Sequence, residues 1–236
     1  MSSSDINDRV QELLDSAVGH FMIQDYPETL NELKSALMLD KENPVLQYNI
    51  GICYCKMGLF NSAIQYLRSS INLPLSFIDS NTVKKVLSFC LIKINDYTAA
   101  EEMLHDLRSA GTEDNQVLSM LGFLYEKSGR YDEAIGLYRE ILKIIPDYYG
   151  AYNAIAYSIA LSGGDLQEAF DLVKKAIQGG GKNPAFIDTA GYVLLKMGDL
   201  KRAEQFLSEA NKMLPLNKEI EAHMRELFLM KGISRV

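Results

Sequence analysis

The sequence contains no tryptophan, and only three cysteines and three histidines among 236 residues. Cys53, Cys55 and Cys90 form an odd set without Cys-x-x-Cys spacing, which argues against a disulfide framework or a zinc site and for reduced thiols packed as small apolar residues. His20, His105 and His223 are too far apart for the His-x-x-x-His spacing of a metal site. Basic residues are also short. With Lys and Arg numbering 24 against 31 Asp and Glu, the net charge is -7. That balance argues against a phosphate backbone as partner, because such binding rests on neutralisation by cations. No run of about 18 apolar residues offers a membrane span. The start, Met1-Ser2-Ser3-Ser4-Asp5, has no basic segment leading into an apolar one, so the expected compartment is the cytoplasm.

Catalytic signatures are missing as well. Gly179-Gly180-Gly181-Lys182 lacks the distant first glycine of a phosphate loop and the Ser or Thr that should follow its lysine. No Gly-x-Ser-x-Gly elbow occurs. Glu101-Glu102 and the pair Glu219 and Glu221 read as solvated helix faces, since nothing near them in sequence would enclose an acid and a base. The chain is therefore read as non-enzymatic, with neither cofactor nor metal.

What the sequence does contain is a repeated pattern. Asn115 to Tyr148 runs Leu118-x-x-Leu121-Gly122-x-x-Tyr125, then Gly129 and Tyr131, then Ala134-x-x-x-Tyr138, and ends at Pro146. Bulky residues spaced by three and four around a glycine turn predict two short helices back to back. One such pair cannot bury its own apolar face. Pro44 to Phe77 repeats the pattern with Tyr48, Ile50-Gly51, Tyr54, Gly58, Ala63, Leu67 and Pro74. The same offsets reach back to Ala17, Thr29 and Ala36, with Pro27 in the first turn of a helix, where its missing N–H costs nothing. They reach forward to Leu87, Leu91, Tyr97 and Ala100, to Ile155-Ala156, and to Gly191, Leu194, Gly198, Ala203, Leu207, Ala210 and Pro215. Extra residues fall near Leu73 to Asp79 and at Gly163-Gly164. Gly179-Gly180-Gly181 predicts that a second helix stops early and leaves a flexible joint.

The order Leu-Gly, Tyr, Ala and Pro at a spacing of 34 resembles the tetratricopeptide repeat, with Leu118 where the family has Trp. The resemblance implies an all-α right-handed solenoid of six helix pairs, at 10–43, 44–77, 81–114, 115–148, 149–183 and 184–216. A flexible stretch, 1–9, precedes them, and a capping helix with its tail, 217–236, closes the open end. That last segment has an Asn217 cap and Ile220, Met224, Leu227 and Phe228 on one side. The runs Asn153–Tyr157, Ile187–Val193 and Glu219–Met224 resemble the C-terminal repeats of bacterial members.

In repeats of this kind, positions 2, 5, 9, 12 and 13 of each first helix line a groove. Position 9 is Val18, Ile52, Phe89, Phe123, Tyr157 and Tyr192, an apolar column suited to anchoring a partner's peptide segment. Position 13 supplies Lys56, Lys93, Lys127 and Lys196 as electrostatic guides for an acidic segment or a C-terminal carboxylate. Tyr48, Asn153 and Asp188 fall at position 5. No position 9 is Asn, so the carboxylate clamp that holds chaperone tails is disfavoured. Cys53 and Cys55 face different sides of their helix, with Lys56 a weak activating neighbour. The resulting expectation is an adaptor that binds a protein or peptide in its groove. Leu227-Phe228-Leu229-Met230 motivates one alternative, a self-assembling protein that forms a homo-oligomer through its last helix, and an accessory subunit of a larger bacterial machine is another that the sequence does not distinguish.

Overall fold

The computed structural model describes residues 3–73, 79–111 and 114–232. Among them the regular structure is helical throughout. The helices are α1 (Ser3–Met22), α2 (Tyr26–Leu39), α3 (Pro44–Lys56), α4 (Phe60–Ile71), α5 (Ser80–Lys93), α6 (Tyr97–Ser109), α7 (Asn115–Lys127), α8 (Tyr131–Ile144), α9 (Tyr149–Ser162), α10 (Leu166–Gly180), α11 (Pro184–Lys196), α12 (Leu200–Met213) and α13 (Lys218–Met230). The chain divides into two compact units, Met1–Val117 and Leu118–Val236. Among the described residues no helix is long and apolar enough to cross a membrane.

The helix starts follow from local chemistry. Asp25, Asn43, Asp79, Asp96, Asp165, Asn183, Asp199 and Asn217 each accept a backbone N–H of the following first turn. Pro27, Pro44 and Pro184 sit at first or second helical positions, where no intrahelical N–H is needed. Between the two helices of a pair the chain must pass through the left-handed region. Gln24, Gly58, Asn95, Gly129, Gly163 and Gly198 do this, with φ between 62° and 81°. The turn column is thus conformational, and Asn95 and Gln24 fill it where glycine is absent.

The seam residues pack as the pattern requires. Ala63, Ala100, Ala134, Ala169 and Ala203 have no exposed surface. A Cβ on Gly51 would lie 2.8 Å from Leu67 Cγ, one on Gly191 2.8 Å from Leu207 Cγ, and one on Gly122 2.7 Å from the Tyr138 ring. Adding atoms at such sites overpacks the core at a cost of about 1–3 kcal/mol.

Three expectations need correction or limits. Helix α1 begins at Ser3, inside the 1–9 stretch expected to be flexible. Ile6 packs with Val10, Leu13 and Ala17 on the first core cluster, so the helical apolar ladder starts one turn earlier than the repeat pattern does. Helix α10 does not stop early at the glycines. It continues to Gly180, and only Gly181, with φ +76°, ends it. A Cβ on Gly179 would fall inside the Tyr149 ring, and one on Gly180 would lie 2.7 Å from Phe186. Gly179 and Gly180 therefore admit neighbouring aromatic rings, and the joint is packed. The predicted repeat end at Pro74, and the core of the insertion at 74–78, lie outside the described residues.

Candidate functional site

In the first unit the groove positions lie on α1, α3 and α5. Phe89 is 39% exposed, with the Phe60 ring edge-on at 6.2 Å and Lys93 Nζ 5.2 Å above its centroid. Tyr48 and Ile52 are half-buried, while Lys56 and Lys93 are exposed. A shallow apolar depression of about 170 Å³ is lined by Leu14, Val18, Phe21, Met22, Asn49 and Ile52. The three thiols of this unit differ sharply. A hydrogen bond with Cys90 lowers the Cys55 thiol to about 7, helped by the charges of Lys56 and Lys93. Burial pushes Cys53 up to about 11. Cys90 is raised by its bond to Cys55 and by burial.

The second unit brings more of the expected residues together. Phe123 and Lys127 from α7, Asn153 and Tyr157 from α9, and Asp188 from α11 line one cavity of about 340 Å³. Glu126 and Tyr138 complete its wall, and the start of α13 closes it with Asn217, Glu219 and Ile220. Tyr192 and Lys196 are placed differently: α13 covers them. Tyr192 is 5% exposed, and its ring stacks on His223 at 4.2 Å and 24°. Lys196 donates to Glu226 Oε1 at 2.7 Å. Lys127 Nζ lies 3.8 Å from Glu219 and 5.3 Å above the Phe123 ring. Two of the four column lysines are thus engaged by α13 itself.

Helix α13 does this with one stripe. Glu219, His223 and Glu226, spaced by four and three, face the groove. The Tyr157 hydroxyl donates to Glu219 Oε1 at 3.0 Å and lies 3.3 Å from His223 Nε2. On the other side of the ring, His223 Nδ1 is 2.9 Å from the buried Asp188 carboxylate, so this nitrogen carries the proton and donates. Burial and the neighbouring Glu219 raise the Tyr157 hydroxyl. The helix also has an apolar side: Ile220 and Leu227 are buried, while Leu229 and Met230 are 73% and 51% exposed.

Among the residues that line the cavity two polar groups stand out. Asn153 Oδ1 is buried with no hydrogen-bond partner. The Glu126 carboxyl accepts from Ser158 Oγ at 3.2 Å, and burial pushes it up to about 7 against the pull of Lys127 and Ser158. Glu126 occupies position 12 of its repeat, which faces the groove, so reading that column beside positions 5, 9 and 13 finds it. His223 and the stripe around it escape the repeat register because α13 lies beyond the last repeat.

Residues 116–148 match the tetratricopeptide repeat model. A TPR repeat-containing protein of Pseudomonas aeruginosa is 30% identical over 114 residues, which is 48% of this chain. The chain covers 19% of the length of the curated relatives it matches. A tetratricopeptide repeat protein from Parabacteroides merdae has a similar structure, with a TM-score of 0.72, 15% identity, and coverage of 93% of this chain and 84% of that one. PilW, a widely conserved type IV pilus biogenesis factor, gives a TM-score of 0.74 at 16% identity over 91% of this chain and 98% of its own. At these identities the structural likeness is one of fold. Residues 116–148 thus match one tetratricopeptide repeat, and the all-α fold of helix pairs is similar to that of bacterial tetratricopeptide-repeat proteins.

Proposed function

We propose that the chain is a non-enzymatic adaptor that captures a peptide segment of a partner protein on the groove face of its first helices, with the cavity of the second unit as the anchor point. One observation carries this reading. Five groove-position residues from three successive first helices, Phe123, Lys127, Asn153, Tyr157 and Asp188, converge on a single cavity of about 340 Å³. A cavity walled by aromatic rings with a few convergent polar groups is what ligand sites share. Within the first unit, Ile52 and Phe89 leave apolar surface on α3 and α5. The acidic balance of the chain favours a protein over a nucleic acid as partner.

The test is selection from a displayed random peptide library on the purified chain, followed by fluorescence anisotropy with the selected peptides. Phe123→Ala with Asn153→Leu should weaken binding about tenfold or more, because interface energy concentrates in a few anchors. Thermal melting should show both proteins folded. Selected peptides that bind the folded double variant as tightly as the parent would refute the site, and a library yielding no binder would refute the function.

A further inference from the structure

We infer that the cavity of the second unit receives a cationic side chain, a lysine or arginine of the captured segment, whose charged head reaches Glu126 and Asn153 Oδ1 while its stem lies against Phe123, Tyr138 and Tyr157. This inference rests on the peptide-capture reading above and adds the chemistry of the ligand.

The lining decides the sign of the ligand. Glu126, Glu219 and Asp188 bring three carboxyl groups to the cavity, and among the described residues Lys127 is the one cation that lines it. Asp188 is already held by His223, and Lys127 already leans on Glu219 and the Phe123 ring. Glu126 is different. Among the described residues no Lys, Arg or His forms an ion pair with it, and its bond from Ser158 leaves most of its acceptor capacity unused. Asn153 Oδ1 adds a second acceptor without a donor. A ligand must therefore bring hydrogen-bond donors, and an acidic head would face like charge.

The walls then decide which donor fits. Aromatic faces attract a cation through their ring quadrupole and also pack against methylene groups. A purely apolar side chain would seal both acceptors away from water, and leaving buried polar groups unmade is what binding sites reject most strongly. Lysine and arginine meet both demands with one side chain.

The groups facing Glu126 are Lys127 on its own helix, Ser158 and Tyr157 from α9, Tyr138 from α8 and Glu219 from α13. With its carboxyl pushed up to about 7, the empty site holds part of a proton at neutral pH. An arriving cation favours the carboxylate, so binding expels that proton and weakens as pH falls below about 7.

The experiment uses peptides selected on the full chain, each resynthesised with its basic residues changed singly, Lys to norleucine or Arg to citrulline. One such change should weaken binding to the parent protein about tenfold or more, and binding to a Glu126→Gln variant by about twofold or less. Asn153→Leu serves as a second variant should the glutamine form fold poorly. Calorimetry in buffers of different ionisation enthalpy should detect proton release with the parent and none with Glu126→Gln. Peptides that bind at the cavity without a basic residue, or basic-residue losses equal in the parent and both variants, overturn this inference and leave peptide capture standing. The absence of any binding peptide overturns both.

Discussion

Replacing the buried His223 by leucine should loosen the C-terminal helix, and the structure gives the scale. The imidazole is the hydrogen-bond partner the buried Asp188 carboxylate uses, at 2.9 Å. Removing it strands that carboxylate in the interior, a loss of about 1–3 kcal/mol. The stack on Tyr192 at 4.2 Å also disappears, which adds about 0.5–1.5 kcal/mol. The sum, roughly 1.5–4.5 kcal/mol, is local to the packing of α13 on α11, and a repeat protein need not unfold in one step. Hydrogen exchange is therefore the right assay. Amides of residues 222–230 should exchange about 10- to 1500-fold faster in the variant, given a factor of ten for each 1.4 kcal/mol. Pairing His223→Leu with Asp188→Asn should recover part of the loss, because the stranded group is then neutral. An exchange rate in α13 that changes by less than about threefold would show that the His223 contacts do not hold the helix on the groove.

Further outcomes follow from particular residues. Gly179→Ala should lower the melting temperature because its Cβ meets the Tyr149 ring, at about 1–3 kcal/mol, whereas Gly136→Ala in α8, with nothing within 4 Å, should raise stability by about 0.5–1 kcal/mol. Similar effects of the two substitutions in urea melts would contradict the packed joint. Glu126 has a folded pKa raised to about 7 from 4.5, so the folded state binds the proton more tightly. The stability contributed by Glu126 is then fully present below the unfolded value and is lost as pH rises through about 7, by up to about 3 kcal/mol. Glu126→Gln should flatten that slope, and an unchanged slope would remove Glu126 as its source. Iodoacetamide labelling near neutral pH, followed by peptide mass spectrometry, should modify Cys55 first, with its thiol at about 7 against about 11 for Cys53. Faster reaction at Cys53 or Cys90 would refute the activation of Cys55.

The sequence pattern carries the fold well where one residue has one job. Gly51, Gly122 and Gly191 mark close helix approaches because no side chain fits against Leu67, Tyr138 and Leu207. The turn column is legible even through its exceptions, since Asn tolerates the left-handed region nearly as glycine does, and an exposed Gln24 adopts it with φ 64°. Gly179 and Gly180 mislead because glycine signals both a chain break and a close approach, and only the position of the Tyr149 ring distinguishes them. At the site, the columns at positions 5, 9 and 13 find Phe123, Lys127, Asn153, Tyr157 and Asp188. They do not reveal that Tyr192 and Lys196 belong to the packing of α13. Lone histidines are usually dismissed on spacing, yet Glu219, His223 and Glu226 share one helical stripe. That periodicity is visible in the sequence, whereas the helix it docks against is set by tertiary structure.

The central claim is that the cavity walled by α7, α9 and α11 is where a partner's peptide is anchored. Nuclear magnetic resonance of the full chain, with the side-chain amides and aromatic rings assigned, tests it most directly. Adding a library-selected peptide should shift the Asn153 side-chain amide and the rings of Phe123 and Tyr157 before other resonances move. Shifts confined to the second helices α8, α10 and α12, or to the exposed end of α13 at Leu229 and Met230, would contradict it.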